Sequence, residues 1–390
     1  MRWIRRLVAI VAAVAVLGLV AFWVFAPAIV EKGRNAVAAH DPYPISAAAQ
    51  ALHDDLIIGD WHADPLLWKR DLTQRGSRGQ VDIPRLIEGN VAVQVFTAVT
   101  KSPAGQNYEQ NSTDAFDNIT LLAFGQLWPM RTWFSIYERA AYQADKLHDF
   151  EARSDGRLKI IETRADLEEV LKARADGDKV VGGILGIEGA HPLEGDIANL
   201  DRLVKKGYRL IALQHFFDNE LGGTLHSAAN APLTDFGRLV VAEVAKRGLI
   251  LDVAHSSQSV VREVLAITNI PIVLSHTGVR SHCETQRNLP DDLMRQIAAT
   301  GGVIGIGYWR DVTCDESPAG IAATVVAAIE AVGEDAVSLG SDFDGSVATS
   351  LDTSELAALT QAMMDAGISP DQIRKVAGAN MLRVLRARLN

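Results

Sequence analysis

Leu56-Ile-Ile-Gly-Asp-Trp-His-Ala-Asp64 decides the fold. A short apolar run ending at Pro65 is of strand length, and within a strand residues two apart point to the same side. His62 and Asp64 therefore face one way, with Ala63 turned from them. The same design recurs along the chain, with strands expected at Leu56–Trp61, Val91–Thr97, Gly182–Ile187, Arg209–Gln214, Leu249–Ala254, Pro271–Ser275, Gly302–Gly307 and Ala336–Ser341. Segments between them read as amphipathic helices, among them Leu233–Arg247 and Asp291–Ala299, the latter opening after Pro290. Eight βα units predict a parallel sheet closed into a (β/α)8 TIM-like barrel. Residues 101–164 are too long for one connection and read as an inserted helical pair. Its aromatics (Phe116, Phe124, Trp128, Trp133, Phe134, Tyr137, Tyr142) are expected to pack between helices.

The strand ends carry the chemistry. After Glu188 on the third run come His215, His255 and His276 on the fourth, fifth and sixth, and Asp342 on the eighth. With His62 and Asp64, these residues collect at the C-terminal face, where such barrels hold their active sites. Imidazole and carboxylate without thiolate suit Zn²⁺ or a similar divalent ion. One catalytic zinc takes about three protein ligands, so His62, Asp64, Glu188, His255 and His276 make better sense around two ions, with Glu188 as the bridge.

Composition excludes other classes. The 390 residues are 48% hydrophobic and 22% charged, a globular balance, and the net charge of −10 argues against nucleic acid as a partner. Two cysteines, Cys283 and Cys314, are too few for a disulfide framework or a thiolate zinc site, and their spacing leaves pairing open. Arg2, Arg5 and Arg6 precede an uncharged run from Leu7 to Val30, long enough to cross a bilayer. The expected organisation is a cytoplasmic tip and membrane anchor over 1–35, a linker over 36–50, and a barrel over 51–390 lying outside the cytoplasm. A cleaved signal peptide is the alternative to the anchor.

Six blocks carry a resemblance: Asp60-Trp-His-Ala-Asp64, Gly186-Ile-Glu-Gly-Ala190, Leu233-Thr-Asp-Phe-Gly237, Leu251-Asp-Val-Ala-His-Ser-Ser257, Ser275-His276 with Arg287-Asn288, and Gly340-Ser-Asp-Phe-Asp-Gly345. From about residue 50 to 386 the sequence resembles the membrane (renal-type) dipeptidases, the M19 metallopeptidases of the amidohydrolase superfamily. The resemblance implies a zinc-dependent dipeptidase, homodimeric, in which His62 and Asp64 bind one zinc, His255 and His276 the other, and Glu188 bridges. It further implies that His215 lies near the substrate carbonyl, that Arg287, with Asn288 beside it, holds the free C-terminal carboxylate, and that Asp342 moves protons. Orienting a metal-bound His is the other reading of Asp342.

Two features depart from the family pattern. Trp61 stands where Gly is common, and strand geometry sends it behind the barrel. The loop Phe216–Gly223 is less polar at its start than expected, which bears on side-chain preference. His191, His226 and His282 are read as surface or supporting residues near the site. The alternatives are another amidohydrolase-type activity, on N-acyl amino acids, β-lactams or lactones, and a catalytically silent, membrane-tethered binding protein. Absence of a Lys at the end of the third or fourth strand disfavours relatives that bridge their metals through a carbamylated lysine.

Overall fold

A computed structural model describes residues 2–390. Its strands are β1 (Ile58–Ala63), β2 (Val91–Val99), β3 (Leu158–Ile160), β4 (Val181–Glu188), β5 (Tyr208–Ala212), β6 (Ile250–Asp252), β7 (Ile272–Thr277), β8 (Val303–Ile306) and β9 (Val337–Leu339). All pair in parallel, and β2 joins β1 to β4 while β9 returns to β1 through Asp60 and Leu339. Eight strands thus close a barrel, with β3 appended along the start of β4. Helices cover the outer face, so the barrel strands are buried on both sides and read as apolar runs. Trp61 does not lie behind the barrel as expected: it packs with Val93, Ile184, Leu210, Ile250 and Val303, from five other strands, which meet only in the barrel interior, and its indole N–H donates to Ser338 Oγ at 3.1 Å. A register shift between Asp60 and Ala63 breaks the simple alternation that would have sent it outward.

Helix starts help to place the site. Ser257 caps the helix Gln258–Ile267 through the Val260 N–H, leading the chain away from the barrel two residues after His255. Thr234 caps Asp235–Lys246 in the same way through Gly237. The loop carrying Arg287 is tied at Cys283, which forms a disulfide with Cys314.

The stretch between β2 and β3 holds the helix Asn118–Gly125, a 3₁₀ turn at Met130–Trp133 and the helix Ile136–Arg153. Trp128 and Tyr137 are buried there, as expected of helix packing. Phe116 and Phe134 are not: they are 55% and 84% exposed. The N-terminal helix spans Arg2–Arg34 and is long and apolar enough to cross a membrane. Its end is docked, because Glu31 is buried against Arg70 and Arg78, and Asn35 Oδ1 accepts from the Ser346 N–H. Residues 36–50 follow the barrel surface: Val37 bridges to Thr349, and the helix Ala47–Asp55 begins before residue 50.

Candidate metal centre and substrate cleft

Glu188, the last residue of β4, lies at the middle of the cluster. Its Oε1 is 3.4 Å from His62 Nε2, 3.2 Å from His255 Nε2 and 3.5 Å from His276 Nε2, and its Oε2 is 3.4 Å from His215 Nε2. Asp64 Oδ2 and Asp342 Oδ1 stand 3.6 and 3.9 Å from His62 Nε2. Six strand ends separated by up to 280 positions thus meet in one cluster, and every member is buried.

The backbone is bent to achieve this. His255 and Asp342 both have left-handed φ, at 61° and 60°, a conformation costly for such residues and concentrated at functional sites. Asp342 is anchored by its N–H to the His62 carbonyl, and Phe343 O accepts from the Asp64 N–H, which ties the two strand ends together. Gly345 must lack a side chain, since a Cβ there would lie 2.0 Å from Asp342 Oδ1. Gly189, at φ 76°, likewise lets the turn after Glu188 pass close to His191 and His215.

Hydrogen bonds set which ring nitrogens face inward. His226 Nδ1 donates to the Tyr108 carbonyl at 3.0 Å, so its Nε2 is free to accept from His255 Nδ1 at 2.8 Å. His255 Nε2 then carries a lone pair into the cluster. On the opposite side His276 Nδ1 donates to Ser275 Oγ at 2.8 Å, turning the His276 Nε2 lone pair inward as well. These two Nε2 atoms lie 2.9 Å apart, where facing lone pairs repel unless positive charge sits among them. His62 Nε2 is wholly buried and has no hydrogen-bond partner. Thr97 Oγ1 donates to Asp64 Oδ1, leaving Oδ2 toward the cluster. This donor set could hold divalent cations: the ligand atoms of His62, Asp64 and Glu188 lie close enough together for one ion, as do those of Glu188, His215 and His255, and those of His62, His276 and Asp342.

Burial alone would raise the Glu188 carboxyl, but His215, His62 and His255 hold it well below the usual carboxylate range. Burial would lower His62, but Glu188 and Asp64 lift it well above an ordinary imidazole. Burial, with Arg287 nearby, depresses His255, and burial with His62 and Arg287 depresses His276. Asp342 is pushed well above its usual value, by burial first and, against the pull of His62, by the charges of Glu188 and Asp64.

A cleft opens over the cluster, lined by Leu67, Val99, Tyr108, Ile119, Phe216 and Val347. His215 borders it, oriented by a 3.2 Å contact from Nδ1 to the Lys101 carbonyl. Arg287 is 1% exposed, and its Nη2 donates to the His276 carbonyl at 2.7 Å while Nε and Nη1 have no partner. Buried, unpaired guanidinium N–H groups are expensive, and an anion would satisfy them.

A sequence profile of the membrane dipeptidases, peptidase family M19, matches residues 46–389. The chain belongs to that family. Dipeptidase aclJ of Aspergillus oryzae is 30% identical over 357 residues, covering 84% of this chain and 77% of its own. Dipeptidase verJ of Clonostachys rogersoniana is 30% identical over 250 residues, 62% of this chain, which spans 63% of that relative's length. Among solved structures, dipeptidase AC, a metallopeptidase of family M19, aligns with a TM-score of 0.69 at 24% identity, over 86% of this chain and 99% of its own. A metallopeptidase from Rhodobacter sphaeroides, liganded with a phosphinate mimic of the dipeptide L-Ala-D-Ala, aligns with a TM-score of 0.69 at 23% identity over 85% and 99%. These two share the barrel.

Within the M19 barrel, the structure brings His62, Asp64, Glu188, His215, His255, His276, Arg287 and Asp342 to one place. Asn288, expected to bind substrate, is elsewhere engaged. Its Oδ1 accepts from the Gly278 N–H, and its Nδ2 donates to the Cys283 and Val312 carbonyls, so the amide holds the loop that carries Arg287. The three loop histidines separate: His282 is exposed, whereas His191 and His226 are buried, the latter bonded to His255. Tyr108 was not anticipated. It lines the cleft, its hydroxyl accepts from Trp309 Nε1 at 3.0 Å, and its carbonyl fixes His226.

Proposed function

We propose that this chain hydrolyses dipeptides using two zinc ions, held by His62, Asp64, Glu188, His255 and His276, and that it recognises the substrate's free C-terminal carboxylate. The observation that carries the reading is the convergence on Glu188 of three imidazole Nε2 atoms, that of His62 without a hydrogen-bond partner, beside a buried guanidinium with unpaired donors. Two divalent cations in this donor set would supply a water activated at neutral pH and would polarise the scissile carbonyl.

The protein groups do the rest. Arg287 Nε and Nη1 pair with the carboxylate and fix the register of the substrate, so the scissile carbonyl lies over Glu188. His215 Nε2 faces the cleft, placed to meet the oxyanion as it forms. Asp342, with its raised proton affinity, takes the proton released as water adds to the carbonyl carbon, and delivers it to the amine nitrogen as the C–N bond breaks. Tyr108 and Phe216 wall the cleft and limit water.

The Rhodobacter sphaeroides relative's ligand puts L-Ala-D-Ala alongside L,L-dipeptides in the test panel. Purified protein is expected to hold about two zinc ions per chain, to cleave dipeptides, and to stop when chelated. Metal-loaded protein that cleaves esters or lactones but no dipeptide would overturn the reading in favour of another amidohydrolase-type activity.

The helix Arg2–Arg34 is proposed as an uncleaved anchor, with Arg2, Arg5 and Arg6 on the cytoplasmic side and the barrel outside. The disulfide between Cys283 and Cys314 supports an oxidising compartment for the barrel.

A further inference from the structure

Six large apolar side chains stand in solvent between residues 116 and 134: Phe116, Leu121, Phe124, Leu127, Met130 and Phe134, from 36% to 84% exposed. Outside the N-terminal helix, the other large apolar side chains that exposed among the described residues are Ile57, Leu239 and Ile267, each alone. No ionisable residue occurs between Asp117 and Arg131. A crowd of this kind marks an interaction surface, since a solvated face mixes apolar residues with charge.

The N-terminal helix indicates what covers it. The Phe124 ring lies 6.5 Å from that of Phe22 and 5.8 Å from that of Trp23, and Gly125 packs beside Phe22. Phe22 precedes Val30, the end of the uncharged run, by eight residues, which at about 1.5 Å per residue puts it roughly 12 Å inside the span. A segment held beside Phe22 is held at lipid depth, and interfacial segments bury their apolar faces about 5–10 Å. We infer that residues 116–134 dip into the outer leaflet of the bilayer that the Arg2–Arg34 helix crosses, so that the barrel lies with its active face against lipid. The inference rests on the anchor reading of that helix.

Two further contacts fix the orientation. Ile119, on the same helix as Leu121 and Phe124, lines the catalytic cleft, so one helix has the cleft on one side and lipid on the other. Arg70 joins Glu31 of the anchor to Asp344, two residues beyond Asp342, tying the membrane end of the helix to the active-site loop. Substrates therefore reach the cleft along the membrane surface.

Both native cysteines are in the disulfide, so one introduced thiol can be labelled without reductant. Full-length Leu121→Cys, Leu127→Cys and Phe134→Cys variants, carrying an environment-sensitive fluorophore, would be reconstituted in phosphatidylcholine–phosphatidylglycerol vesicles with and without brominated lipid. Leu239→Cys and Ile267→Cys serve as exposed controls on other faces, and Leu17→Cys reports the anchor itself. The expected result is blue-shifted emission that brominated lipid quenches at 121, 127, 134 and 17, with no quenching at 239 or 267. Quenching at 17 alone would leave the anchor reading standing and overturn the inference. A blue shift at 121, 127 and 134 without quenching would assign the patch to a protein contact and also overturn it. No quenching at 17 would overturn the anchor reading and the inference together.

Discussion

His226 lies outside the first ring of donors, yet it decides which nitrogen of His255 faces the cluster. Replacing it by Leu removes the acceptor for His255 Nδ1, and loss of such an outer partner typically costs about 10–100-fold in metal affinity. Competition with a fluorescent chelator should show this for His226→Leu, and unchanged zinc affinity would mean that His255 is oriented by packing alone. Arg287, on the proposed reading, makes a different kind of contribution, since its free donors would serve a charge that the ground state and transition state share. Arg287→Ala should raise KM for dipeptides by about 10²-fold, from two charged hydrogen bonds, with a far smaller change in kcat. A C-terminally amidated dipeptide should show no such difference between the two enzymes; if it does, the arginine is not reading the carboxylate. Most of this site was legible because its residues close apolar runs, and strand alternation gives their direction, as for His62 and Asp64. Tyr108 and His226 lie in loops without period, and their pairing across 118 positions exists only in the fold. The bonds of Asn288 to Gly278, Cys283 and Val312 were equally hidden, because adjacent loop residues point to different partners.

The barrel strands were readable for a physical reason: burial on both faces makes them continuous apolar runs, short enough to exclude helices. Their ends were less so. β1 begins at Ile58 rather than Leu56, since the Leu56 N–H closes the preceding helix on His53 O. β3 has three residues with Lys159 half-exposed at the centre, too little pattern to stand out in sequence. Pairing of Cys283 with Cys314 was equally hidden, since two cysteines alone carry no connectivity signal. That bridge closes a loop 31 positions long around Arg287 and Asn288. Removing it with Cys283→Ser and Cys314→Ser together should cost about 3–4 kcal/mol by loop-closure entropy. Urea unfolding gives that loss, and dipeptide KM should rise more than kcat falls, because the loop bears Arg287, the proposed carboxylate binder. Stability and KM both unchanged would show that the Asn288 bonds hold the loop unaided.

At the scale of the molecule, the barrel holds its chemistry by burying titratable groups that must keep one protonation state, which makes its stability depend on pH. His191 isolates the effect, since it lies near the cluster without being one of the proposed ligands. Its ring packs edge-on against Phe217 and its Nε2 is buried without a partner. Burial, with Lys101 and His215 adding to it, lowers its pKa to about 3. An unfolded chain holds the same imidazole near the ordinary value of about 6.5. Between those limits the unfolded state takes up a proton that the folded state refuses, so the folded protein loses about 1.4 kcal/mol for each unit of acidification. The contribution is intact above about pH 6.5, drains as pH falls toward 3, and changes no further below that. Chelated full-length protein in detergent removes metal release from the comparison. Under those conditions urea unfolding between pH 7 and pH 4 should show a shallower slope for His191→Asn than for the parent chain, since the amide does not titrate. Parallel slopes would mean that the cavity around His191 admits water or an anion on protonation, and that the acid sensitivity belongs to His226, His255 and His276 instead.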